Sequence, residues 1–248
     1  MALHETRLSR RSFLSSSAAG LLLSGGLAQQ PKSEPVSFFV IGDTHYLADK
    51  TNPEKLDSRS AVTTPKLIER LNQLPGTAIP ENAGGGKVET PRGVIHAGDL
   101  IDSGDRSGEP FGKMQKSEWR HYAADFGLDG KDGKLRYPVY EVHGNHDAPQ
   151  GTGLVIDRII ERNRKRPGVT NVSKNGLHYS WDWGNVHFVA LGIVVGAVPA
   201  VKRKRRYNPL DSLDFLTADL RDKVGKSGRP VVLTHHVDVL RYATPPDP

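Results

Sequence analysis

The sequence predicts a layered α/β sandwich, and three observations carry that prediction. Short apolar runs at Val36–Ile41, Gly93–Ala97 and Pro138–Val142 end in Gly- or His-containing turns and read as buried strands. Segments of helical periodicity lie between them, so strand and helix alternate. The period then changes: His178–Trp183 and Val186–Leu191 flank Gly184-Asn185, a hairpin signal, before one more helix and strand.

The elements follow in order. The first strand stops at Gly42, and a polar loop covers 47–63. Thr64 as N-cap and Pro65 at the first helical position predict a helix whose Leu67, Ile68, Leu71 and Leu74 share a face, with Gly76 ending it. A Gly/Pro-rich stretch over 77–92 leads to the second strand, and a loop over 103–116 to a short helix, Ser117–Phe126. The third strand precedes a helix over Leu154–Arg166. Asp211 caps a helix running to Leu220, and Val231–Leu233 forms the last strand.

The chain has 248 residues, 36% of them apolar, which suffices for one sizeable core. There is no cysteine, so disulfides, thiolate nucleophiles and zinc–thiolate sites are excluded. Any metal must be held by imidazole, carboxylate or amide oxygen. Ser9-Arg10-Arg11-Ser12-Phe13-Leu14, followed by a moderately apolar run to Leu27, matches a twin-arginine leader. The expected organisation is a signal peptide over 1–28, a short linker over 29–35 and one domain over 36–248. The leader predicts the twin-arginine export machinery as a partner and a periplasmic or otherwise exported location. No stable membrane span is expected, because no other run is long and apolar enough.

The net charge is +6, and residues 1–28 carry three Arg and one Glu, so their removal leaves +4. The excess sits in two clusters, Arg162/Arg164/Lys165/Arg166 and Lys202–Arg206. They read either as solvated surfaces or as attraction for an anionic substrate or polymer. No specific nucleic-acid partner is predicted. Gly225-Lys226-Ser227 follows a helix and precedes a strand, the wrong order for a phosphate-binding loop, and no Gly-x-Ser-x-Gly elbow exists.

The chemistry concentrates in four segments that follow strands: Asp43-Thr44-His45, Gly98-Asp99-Leu100-Ile101-Asp102, Gly144-Asn145-His146-Asp147 and Thr234-His235-His236. Strand ends are rigid, and α/β proteins bind ligands at their carboxyl ends. Residues i and i+2 face one way, so Asp43 and His45 can share a divalent ion. Asp99 can bridge two ions, while Asn145 and His235 offer an oxygen and a nitrogen. His235 is preferred over His236 because it comes first after the strand; His236 then lines the pocket. His146 is placed to act as a general acid, with Asp102 the nearest carboxylate to support it. His96, His143, His178 and His187 read as satisfied structural histidines, and Tyr179, Trp181 and Trp183 as sheet packing.

Four such motifs in this order resemble the calcineurin-like metallophosphoesterase superfamily over roughly residues 36–240. The resemblance implies an αββα sandwich. It implies that Asp43 and His45 bind one metal, Asp99 bridges, and Asn145 and His235 bind the second, with His146 and Asp102 as the catalytic pair. It implies two divalent or trivalent ions (Mn, Fe or Zn) and a phosphorylated anionic substrate. The reaction implied is hydrolysis of a phosphomonoester or phosphodiester by a metal-bridging hydroxide. The family closes its site with a Gly-His-x-His segment after a further strand, whereas this chain stops at Pro248 without one. The expectation is therefore a domain incomplete at its C-terminus and lacking its last strands. The alternative is a non-catalytic anion-binding relative or an inactive fragment.

Overall fold

Three parallel strands form the sheet that carries most of the candidate residues. They are β1 (Phe39–Ile41), β2 (Val94–His96) and β3 (Val139–Glu141), in the order β1-β2-β3. The computed structural model describes residues 34–196 and 207–238. The twin-arginine segment and the Lys202–Arg206 cluster lie outside the described residues.

The second sheet has the order β4-β5-β6-β7, from Val169–Val172, Tyr179–Trp183, Val186–Ala190 and Val231–Thr234. Its first three strands are antiparallel, β5 and β6 forming the hairpin expected around Gly184-Asn185, and β7 joins β6 in parallel. The strand β4 was not anticipated, because Val169-Thr170-Asn171-Val172 is short and only half apolar.

Strand alternation distributes the side chains between two cores. Ile95, Tyr140 and Val142 face the second sheet and meet Tyr179, Trp181, Trp183 and Phe188. Trp181 stacks on Tyr140 with ring centroids 4.3 Å apart, so these aromatics are packing, as the sequence suggested. Val94 and Val139 face the other way, into a core with Ile68, Leu71, Tyr122, Phe126 and Ile159. That core is roofed by α1 (Ser58–Gln73), α2 (Phe111–Asp125) and α3 (Leu154–Lys165). On the outer side of the second sheet lies α4 (Ser212–Asp219), continued by a π turn over Leu220–Val224. Its Asp219 accepts from Asn171 Nδ2, Ser180 Oγ and His187 Nε2 at 2.6–2.7 Å. The layers are therefore α/β/β/α.

Two helices start earlier than expected. Asp57 Oδ1 accepts the Ser60 N–H at 2.6 Å and caps α1, so Thr64 and Pro65 lie inside the helix. Leaving out the Pro65 donor is tolerated while Ile68 and Leu71 bury their face. In α2 the added residues 111–116 bury Met114.

The cluster Arg162/Arg164/Lys165/Arg166 is not a uniform anion-attracting surface. Arg162 Nε and Arg166 NH2 each lie 2.6 Å from the buried Glu141 Oε1. Burial alone would raise the Glu141 pKa, but the two guanidinium groups outweigh it and hold it at about 2. Only Arg164 and Lys165 of this cluster are exposed. Among the described residues no helix is long and apolar enough to cross a membrane.

Candidate metal centre

The loops leaving β1, β2 and β3 start at one end of the parallel sheet and continue to pair beyond it. Asp43 N–H donates to Gly98 O at 2.9 Å, His45 N–H to Asp99 O at 3.0 Å and Tyr46 N–H to Leu100 O at 3.1 Å. This pairing holds Asp43, His45 and Asp99 at φ of 54°, 41° and 52°, in the left-handed region that non-glycine residues rarely occupy. Strain held by surrounding hydrogen bonds in this way concentrates at functional sites. Close approach also explains two glycines: a Cβ on Gly144 would sit 2.1 Å from Asp99 Oδ1, and one on Gly98 would sit 2.8 Å from His236 Nδ1.

Asp99 is the centre of the cluster. Its Oδ1 accepts the His146 N–H at 2.8 Å. Its Oδ2 faces His236 Nε2 at 3.3 Å on one side and His45 Nε2 at 3.5 Å on the other. Two groups of donor atoms result, His45/Asp99/His146 and Asp43/Asp99/His236, each within 4.8 Å of one another and each using Asp99. Asn145 Oδ1 lies 3.2 Å from His236 Nε2.

His236, not His235, joins this cluster. His236 Nδ1 faces Ala97 O at 2.8 Å; a carbonyl only accepts, so Nδ1 carries the proton and Nε2 presents its lone pair to the centre. His235 turns its Nδ1 to Val237 O at 2.7 Å and, among the described residues, makes no hydrogen bond or ion pair with the other candidates. Strand parity accounts for the difference. Val232 packs between the sheets and Thr234 is buried, whereas Val231 and Leu233 are exposed. Carrying the alternation two residues onward puts His236 on the inner side and His235 on the outer, a signal present in the sequence.

The expected His146–Asp102 pair is wired differently from the expectation. His146 Nδ1 bonds the backbone carbonyl of Asp102 at 3.0 Å, while the Asp102 carboxylate stands 3.8 Å away. That carboxylate is nearer to His45 Nδ1, at 3.3 Å, and to Arg106 NH2, at 3.2 Å. Asp102 thus reaches both rings, one through its side chain and one through its main chain. The His45 and His146 rings meet edge to face with centroids 4.8 Å apart.

Three carboxylates, Asp43, Asp99 and Asp102, surround these imidazoles. The Asp102 carboxylate, 3.3 Å from Nδ1, raises the His45 pKa, with Asp99 and Asp43 adding to it against burial. Burial disfavours charge on His236, but Asp99 outweighs it and raises its pKa. For Asp99 burial is the largest influence and acts upward, yet the adjacent His236 ring and the hydrogen bond from the His146 N–H leave it lowered. A crowded set of oxygen and imidazole donors with excess negative charge fits divalent metal ions.

Two buried carboxylates that no sequence reading had given a role brace the centre. Asp147 accepts from Leu100 N at 2.9 Å, Ile101 N at 3.0 Å and Gly144 N at 2.7 Å, locking the Asp99 loop to the Asn145 loop. Burial nevertheless pushes its carboxyl up to about 6. Glu118 on α2 accepts from Ala48 N at 2.9 Å and from Ser103 N and Oγ at 3.1 and 2.9 Å, anchoring the chain beside Asp102. Of the four structural histidines, His96, His178 and His187 have ring partners, Thr44 Oγ1, Leu210 O and Asp182 with Asp219. His143 departs from expectation: it is buried with neither ring nitrogen bonded among the described residues, and burial pushes its pKa down to about 3, so it is neutral.

A sandwich of this layering, with Asp, His and Asn donors gathered at the strand ends, defines a metallophosphoesterase class of α/β protein. The family profile described as calcineurin-like phosphoesterase matches residues 36–246, and the chain belongs to that family. Among curated proteins none matches this chain.

Proposed function

We propose that this chain is a metal-dependent hydrolase of phosphomonoesters or phosphodiesters, exported by the twin-arginine route to the periplasm. The observation that carries the catalytic part is Asp99 Oδ2, shared between two donor groups that each include imidazole and carboxylate. Asp43, His45, Asp99, Asn145 and His236 would hold the metals. When bound, they would supply Lewis acidity toward phosphoryl oxygens and lower the pKa of a water. The chain's own contribution is orientation. Ala97 O sets the His236 tautomer, and the Asp102 carboxylate braces His45. With its Nδ1–H donated to the Asp102 carbonyl, His146 would serve as general acid in its doubly protonated form, giving the Nε2 proton to the leaving oxygen.

The test is metal content and turnover of 4-nitrophenyl phosphate and bis(4-nitrophenyl) phosphate after reconstitution with Mn, Fe or Zn. Asp99→Ala is expected to lose metal and turnover together. His146→Ala is expected to keep its metal and lose about 10²–10⁴-fold in kcat on esters of poor leaving groups, and less on nitrophenyl esters. Full activity in Asp99→Ala would overturn the assignment. Metal binding without turnover of either ester would favour a non-catalytic relative. For export, Arg10→Lys/Arg11→Lys in the full chain is expected to retain the protein in the cytoplasm; unchanged fractionation would sink that part.

A further inference from the structure

A cavity of about 520 Å³ opens directly beside the candidate metal centre. Asp43, His45 and Asp102 form one wall, and the first turns of α1 form the other, with Arg59, Thr63 and Leu67. Its size suits a small organic molecule. The two walls differ in chemistry: one carries the metal donors, while the other offers a cation, hydroxyls and an apolar side chain, together with the Asp57 carboxylate, which is engaged at the helix cap.

Arg59 has no structural task that accounts for it. Among the described residues its guanidinium makes no hydrogen bond or ion pair; Arg70, Arg136 and Arg164 share that property, but of these four only Arg59 lines the cavity. The nearest carboxylate in sequence, Asp57, is committed to capping α1 through Ser60 N at 2.6 Å. At the second position of a helix the macrodipole opposes a cation, so helix stability does not explain Arg59 either. An unpaired, planar cation in the same cavity as a phosphoester centre is a receptor for a second anion.

We infer that Arg59 selects phosphate esters whose alcohol portion carries a second anionic group, a carboxylate or another phosphate. This rests on the phosphoesterase reading and deepens it. The reacting phosphoryl group would lie at the Asp43/His45 wall, the alcohol carbon chain would run along Leu67, and the distal anion would meet Arg59. Thr63 Oγ1 already donates to Arg59 O at 3.0 Å, so it packs the helix and leaves recognition to the guanidinium.

The experiment measures calorimetric binding of non-hydrolysable phosphonates to the metal-reconstituted full chain. Alkylphosphonates of two to six carbons are compared with the same chains ending in carboxylate or in a second phosphonate. The inference expects the anion-tailed compounds to bind about five- to tenfold more tightly at the best chain length. In Arg59→Ala that advantage falls to about onefold, and in Arg59→Lys part of it survives, because a point charge replaces the guanidinium fork. The two tails identify which anion is preferred. No advantage in the wild-type protein, no binding of any phosphonate, or an undiminished advantage in Arg59→Ala each overturns the inference. Arg59 is exposed, so Arg59→Ala is expected to fold, which circular dichroism checks. Turnover of the matching phosphate esters is measured on the same preparations. Absence of turnover with the phosphonate advantage intact would refute the phosphoesterase reading and leave the Arg59 assignment standing.

Discussion

Asp147 gives the most quantitative handle on the centre. Its two oxygens accept three buried backbone N–H groups, those of Leu100, Ile101 and Gly144. In Asp147→Asn the amide oxygen can take the place of Oδ1 and keep Leu100 and Ile101. The amide nitrogen then faces the Gly144 N–H, donor against donor. One buried donor is orphaned, at about 1–3 kcal/mol, so a loss of about 2 kcal/mol is expected. Asp147→Ala orphans all three; with water admitted to the space left behind, the expected loss is about 4 kcal/mol. Urea unfolding at pH 8 is the assay, because there the carboxyl with its pKa of about 6 is ionised. A chelator is included so that metal binding to the native state does not mask the difference. The same variants should bind metal about 10–100-fold more weakly, since Asp99 and Asn145 sit on the two loops that Asp147 joins. Stability of Asp147→Asn within about 0.5 kcal/mol of wild type, or equal stability of both variants, would refute the clamp.

Three further outcomes are expected. His236→Ala should weaken metal binding by at least tenfold while His235→Ala leaves it nearly unchanged, read by titration with Mn or Zn; the reverse order would restore the first-after-strand assignment. Glu141→Gln should cost about 3–5 kcal/mol in urea unfolding, because Arg162 and Arg166 keep their charge with no carboxylate between them. The folded pKa of Glu141 lies at about 2, below its ordinary 4.5, so its stabilisation is present above about pH 4.5 and is lost as pH falls toward 2. An acid titration of stability should be flatter over that window in Glu141→Gln; equal slopes would contradict the pairing. Gly98→Ala forces a Cβ at φ of +99° to within 2.8 Å of His236 Nδ1, and should cost about 2 kcal/mol and reduce metal affinity, measured on one preparation.

The parts legible in the sequence were those encoded locally. Apolar runs of period two and helical faces such as Ile68/Leu71 marked most elements. The Asp43, His45, Asp99 and Asn145 segments could be ordered along strand ends without knowing how the strands pair. Missed features have specific reasons. The helix α1 begins at Ser58 because Asp57 caps it, a stronger signal than the Thr64-Pro65 pair that drew attention. β4 escaped because its residues are half polar and depend on β5 for partners. Arg162 and Arg166 looked like surface charge because strand periodicity places Glu141 within the third strand without showing which side chains it meets.

The sequence by itself determined the fold class, the family and the donor chemistry, because periodicity and residue type are local properties. With no cysteine in the chain, only oxygen and imidazole could surround a metal. Tertiary structure alone decided which nitrogen of each ring is free and which loops are locked together. Asp147 meets Leu100 across 47 residues of sequence, and His236 meets Ala97 across 139. The first forms once the parallel strands have paired, as do the two contacts of Asp102 with His45 and His146, and the second only once the two sheets have stacked, which brings His236 rather than His235 to the cluster.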